Sequence, residues 1–349
     1  MMKLKKSFYL IIVLIGIGSF GFVIQQENST SATVPIKKLD KFTVTDLELA
    51  LGGDQPQHYL KKFDDSLARV GEKLIREGKA DYKEHKGKLI SPYFNCTDCH
   101  NLKKEQKVIT NKNPQDRLDY LTKNDMPFTA GSTFYGIYNR SSFYNGDYYK
   151  KYGSLVDNAK DTLANAVQLC AEYCASGRPL KQWELDAIMH YYKREELRID
   201  DLHLSGKERA IIENAVNQKV NQEEALTLIK TKYVHQYGAT FTGAMNENNR
   251  DYGANGDPRN GEKIYREACM FCHENSRVTY LELDDDVLSG RYLWRNKEGY
   301  DDESIYQVVR WGTYPITGRK QYMPLYTKEK MSNEQLEDLM AYIKELAQK

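Results

Sequence analysis

The chain carries almost no net charge: 50 Lys and Arg against 49 Asp and Glu leave a formal +1 over 349 residues. It has no basic tract long enough to track a phosphate backbone, which argues against nucleic acid as a partner. Charge is missing altogether from Ser7 to Gln26, a run preceded by Lys3, Lys5 and Lys6. The apolar part, Phe8 to Ile24, lies at the lower edge of what spans a bilayer. A clear A-x-A cleavage site is absent, with only Thr30-Ser31-Ala32 as a passable substitute. Residues 1–30 therefore read as a signal peptide or a membrane anchor. The positive-inside rule puts the rest in the periplasm or on the outer face of the cytoplasmic membrane. That compartment tolerates disulfides and is where haem is attached covalently. What is plentiful is ordinary core material, 40% hydrophobic and 28% charged, enough for one to three domains, together with 26 tyrosines.

Cysteine is scarce, six in all, and four of the six fall in two copies of one pattern: "CTDCH" at 96–100 and "CMFCH" at 269–273. C-x-x-C-H is the attachment pattern of c-type haem. Cysteines three apart lie on one side of a helical turn, so both reach the vinyl groups on one porphyrin edge. The histidine that follows is then held beneath the ring, in reach of iron. Cys96 and Cys99 would carry one haem with His100 as its proximal ligand; Cys269, Cys272 and His273 would repeat this for a second. Zinc would need two more ligands per site, and the gap from Cys99 to Cys269 lacks the compact spacing of a zinc ribbon.

The chain also repeats itself. "GEKLIRE" at 71–77 matches "GEKIYRE" at 261–267, and "LDAIMHYYK" at 185–193 matches "LEDLMAYIK" at 336–344, the latter at an offset of 151. The stretches "GDPRNGEKIYREACMFCH" and "QYMPLYTKEKMSNEQLEDLMAYIKEL" resemble the opening helix, haem motif, distal loop and closing helix of class I cytochromes c. The resemblance implies Met323 as sixth ligand of the second haem. Its place in a loop before Pro324, well beyond His273, agrees, since a thioether is a common axial partner of histidine. Met331 and Met340 read as core, the latter on the apolar face Leu336, Leu339, Met340, Ile343. Carried back by 151 residues, Met323 lands on Glu172, between Cys170 and Cys174. The remaining cysteines thus stand where the first half should present its distal ligand. Met126, Met189, His190 and His203 are rivals for that role, and a Cys170–Cys174 disulfide is the plain alternative.

"CAEYCASGRPL" and "GKLISPYFNCTDCHN" are similar to segments of the diheme Sox cytochrome subunit and of periplasmic diheme thiosulfate dehydrogenases. In those families a cysteine ligates the first haem, which here implies Cys170; Cys174 and the Tyr-rich segment 132–153 depart from their pattern.

The expected fold is all-α. Behind the N-terminal segment come an elaborated cytochrome c domain over 60–198, a helical linker over 199–257 and a class I cytochrome c domain over 258–349. The linker offers two capping-box spacings, Ser205/Glu208 and Asn221/Glu224. Arg140, Arg178, Arg310 and Trp311 are candidates to bind propionates or an anion. The expected function is electron transfer to redox partner proteins through two covalently bound haem c groups. The alternative is an oxidoreductase acting on a small sulfur anion at the first haem, with Cys170 catalytic. A peroxidase would require an open or readily displaced ligand at one iron.

Overall fold

The computed structural model describes residues 38–241, 251–299, 304–313 and 323–349. The N-terminal signal or anchor segment lies outside them. Among the described residues the fold is helical, with no strand beyond two isolated bridges, Thr43 to Arg198 and Tyr82 to His85. No described helix is long and apolar enough to cross a membrane.

The helices that position the site come in two crossing pairs. In the first half, α2 (Asp65–Glu77) packs on α6 (Gln182–Arg194). The Asp64 carboxylate accepts from the backbone N–H of Ser66 and Leu67, and Gly78, at φ 69°, ends the helix. Its buried stripe, Ala68, Gly71, Leu74 and Ile75, meets Leu185, Ile188 and Met189 of α6. In the second half, α9 (Pro258–Ile264) packs on α13 (Asn333–Gln348). Asp257 caps α9, with Pro258 in its first turn, and a Ser332/Gln335 capping box starts α13. Leu336, Leu339, Met340 and Ile343 are all at most 1% exposed. Burial of such side chains contributes roughly 1.5–3 kcal/mol each.

The two crossings share one detail. A Cβ at Gly71 would run into the carbonyl of Ala187, and a Cβ at Gly261 into that of Asp338. The glycines are the equivalent residues of the two "GEK" stretches, and their partners are 151 residues apart, the offset of the closing-helix repeat.

The remaining helices pack around these pairs. α1 (Val44–Ala50), α7 (Gly206–Gln218) and α8 (Gln222–Lys230) bury a separate apolar cluster that touches the first half through Leu197 and Tyr135. The Ser205/Glu208 capping box forms. The one expected at Asn221 does not: Asn221 is left-handed at φ 52°, and its side chain caps nothing. α3 (Pro114–Lys123) belongs by sequence to the first half, yet Leu118, Leu121, Phe128 and Ala130 are buried in the core of the second. α4 (Tyr148–Tyr152) and α5 (Leu163–Leu169) wall the first half. α10 (Phe271–His273), α11 (Val287–Arg295) and α12 (Ile305–Trp311) complete the second.

Candidate haem centres

The first motif opens on a single 3-10 turn, Cys96–Asp98, capped by Asn95 and Asp98. The backbone N–H of His100 bonds to the Cys96 carbonyl at 3.0 Å, which holds the two cysteines and the imidazole in one compact curl. The imidazole Nδ1 lies 2.6 Å from the Ser132 carbonyl. A carbonyl only accepts, so Nδ1 carries the proton. Burial holds the ring pKa down at about 4, so the ring is neutral and Nε2 keeps its lone pair for a metal. Phe134 stacks on the same ring, 4.4 Å between centroids. Gly131 makes this close fit possible, because a Cβ there would stand 2.5 Å from the imidazole.

His100, Cys96 and Cys99 line a cavity of about 220 Å³ whose surface is largely apolar. Cys170 and Cys174 line the same cavity. They are brought there by a π-helical turn, Cys170–Cys174, that continues α5: the Ala175 N–H reaches back five residues to the Cys170 carbonyl at 2.8 Å. All six cysteines are free. Tyr144 and Tyr152 from the Tyr-rich segment, also on the cavity wall, place their hydroxyls 3.5 and 3.4 Å from the Cys174 sulfur. The hydrogen bond from the Cys170 thiol, then those from the two phenols, pull the Cys174 thiol below its ordinary range; the same thiol–thiol bond, with burial, pushes Cys170 up.

None of the rival ligands lines this cavity. His190 accepts from the Asp64 N–H and lies against Phe63, and His203 bonds to the Lys107 carbonyl. Met189 is buried in the α2–α6 core, and Met126 packs against the second core.

Charge at the first cavity is lopsided. Arg140 and Lys330 line it, 8% and 7% exposed. Lys330 and Arg117 share one carboxylate, Glu105, at 3.8 and 2.9 Å. Three buried basic side chains thus gather around one carboxylate. Burial drives Lys330 down to about 7, while the Arg117 and Lys330 charges overcome burial to hold Glu105 near 2. Unpaired buried cations are costly, so the arrangement suits a ligand that brings negative charge; the two propionates of a haem match it. Arg140 was legible as a candidate; Lys330, Arg117 and Glu105 were not, because three distant segments supply them. Arg178 is spent on Glu184 and on the Lys88 and Leu89 carbonyls. Arg310 is fully buried, with its Nε unpartnered, between the Tyr326 and Met331 carbonyls. Trp311 packs edge-on against Phe241.

The second motif follows α9 through another π-helical turn, Tyr265–Met270, which carries Cys269. His273 repeats the arrangement of His100: Nδ1 lies 2.8 Å from the Leu281 carbonyl, burial lowers the ring pKa, and Nε2 is left for a metal. Met323 packs partly buried against the same core as Cys269. The segment just after the second motif reaches the first. Arg277 donates at 2.7 Å to Asp98, which lies between the cysteines of the first motif. Cys272 lies near enough to help raise the Cys99 thiol, after burial, and Tyr326 is buried near both. The residues of both motifs thus fit a covalent haem: free thiol pairs, a neutral imidazole with Nε2 available, and, at the first, an apolar cavity with surplus buried cations.

Residues 256–343 match the family described as cytochrome c oxidase, cbb3-type, subunit III. No curated protein and no solved structure matches the chain. The match covers the second motif, Met323 and most of α13, and it makes this part of the chain a cytochrome c domain, a class that binds haem c covalently and transfers electrons.

Proposed function

We propose that the protein is a diheme c-type cytochrome that passes electrons to partner proteins outside the cytoplasmic membrane. The first haem is held by Cys96 and Cys99, with His100 on one face and a thiolate of the Cys170/Cys174 pair on the other. The second is held by Cys269 and Cys272, with His273 and Met323. The observation that carries this is the single cavity walled by Cys96, Cys99 and His100 on one side and by Cys170 and Cys174 on another. The matching helix crossings at Gly71 and Gly261 support two cytochrome domains in tandem.

When bound, haem supplies the one-electron chemistry. The protein's own residues set its conditions. Ser132 and Leu281 orient the two imidazoles through Nδ1. Tyr144 and Tyr152 steady a sulfur anion by hydrogen bonding. Arg140 and Lys330 balance carboxylates. The Asp98–Arg277 pair holds the motifs side by side, in series. The N-terminal segment, as signal or anchor, would place the chain outside the membrane.

A second reading, oxidation of a small sulfur anion at the first centre, is favoured by the second thiol in a cavity with surplus positive charge. In that reading Cys170 is the reacting sulfur.

The haem count is tested by a pyridine haemochrome assay on denatured protein. Two haems should stay with each chain. One haem, or stoichiometric zinc, would contradict the proposal.

A further inference from the structure

We propose that Cys170 and Cys174 form a redox-active dithiol that closes to a disulfide within the first cavity and passes its two electrons to the two haems. The inference rests on the diheme reading above.

Iron needs only one distal sulfur, yet two free thiols line the cavity. The π-helical turn sets both on the same wall, with the Cys170 thiol in hydrogen-bonding contact with the Cys174 sulfur. Tyr144 and Tyr152 place their hydroxyls 3.5 and 3.4 Å from the Cys174 sulfur and so hold it on that wall. Residues four apart on a helix stand about 5–6 Å apart at Cβ. A disulfide needs about 3.5–4.5 Å. The bridge therefore forms only with a local shift and is strained. Strained bridges are the readily reduced, redox-active kind, in contrast to structural ones.

The step balances. The S–S bond forms between the Cys170 and Cys174 sulfurs. The sulfur bound to iron enters as the thiolate, and the S–H bond of the other breaks and its proton leaves. The two electrons would leave one at a time, one to each haem held at the two motifs, ferric before and ferrous after. A two-electron donor thus matches two one-electron acceptors, and the Asp98–Arg277 ion pair sets the two attachment segments next to one another. Because one of the two sulfurs is the distal ligand, closure also withdraws it from iron.

The test uses the full-length haem-loaded chain, reduced with dithiothreitol and dithionite, freed of both, and titrated anaerobically with ferricyanide. Haem absorbance is followed throughout. Samples from both ends are denatured, alkylated with iodoacetamide and analysed as peptides. The expected uptake is two electron equivalents from the haems plus two from the thiols. The peptide spanning 169–180 should carry two labels when reduced. Fully oxidised, it should carry none and be lighter by two hydrogens. Cys170→Ser and Cys174→Ser should each yield only the haem equivalents. If both thiols of the fully oxidised wild-type chain are still alkylated, or the bridge appears only after haem is removed, the proposal is overturned. Labelling of the wild type decides the matter even if the variants fail to fold. Absorbance counts haems separately, so a fault in the diheme reading shows there and not in the labels.

Discussion

At the scale of single residues, the first centre rests on groups that have no local signature. C-x-x-C-H is legible because covalent attachment fixes its spacing, and Cys170 and Cys174 were located by the offset between the two closing helices. Gly131 against His100, and Glu105 between Arg117 and Lys330, were not legible, since each depends on which distant segments meet. Glu105 makes a direct test. Its pKa is held near 2, below the ordinary 4.5, so its contribution to stability is fully present above the ordinary value and is lost as pH falls from there toward 2. Glu105→Gln leaves Arg117 and Lys330 buried without their anion. A loss of about 3–5 kcal/mol is expected at pH 7, read by urea unfolding, and it should shrink in acid. An unchanged midpoint at pH 7 would show that the triad bears no such load.

At the scale of elements, the closing helices were the most readable parts, because an apolar stripe at helical spacing has one good solution, burial against a partner helix. The α9–α13 and α2–α6 crossings follow from it. The capping box at Ser205 was readable for a similar reason, whereas Asn221 took the left-handed conformation that asparagine tolerates and so lost its capping geometry. α3 lies between the motifs in sequence, but its apolar residues satisfy the second core, a pairing that chain order alone does not reveal. The paired glycines give a prediction for the crossings. Gly71→Ala and Gly261→Ala each drive a methyl group into a backbone carbonyl of the partner helix, which cannot retreat without parting the pair. Each should lower the melting temperature, with a cost of about 1–3 kcal/mol typical of overpacking. A variant that melts with the wild type would mean that the helices are not so close.

At the scale of the whole molecule, the proposed diheme arrangement sets two centres with unlike sulfur ligands side by side. A thiolate donates electron density to iron and lowers its potential, whereas a thioether opposite histidine raises it. The two haems should therefore titrate far apart, the first low and the second high. The sequence resemblance points to Cys170 as the ligating sulfur, with Cys174 supported by its tyrosines. The most direct test is a spectral redox titration with low-temperature EPR on the wild type, Cys170→Met and Cys174→Ser. The wild type should give two well-separated one-electron haem waves and a low-spin thiolate signal. Cys170→Met should abolish that signal and raise only the lower potential, with a much milder effect in Cys174→Ser. The reverse pattern would assign the ligand to Cys174. A spectrum and both potentials unchanged in both variants would contradict thiolate ligation at the first haem.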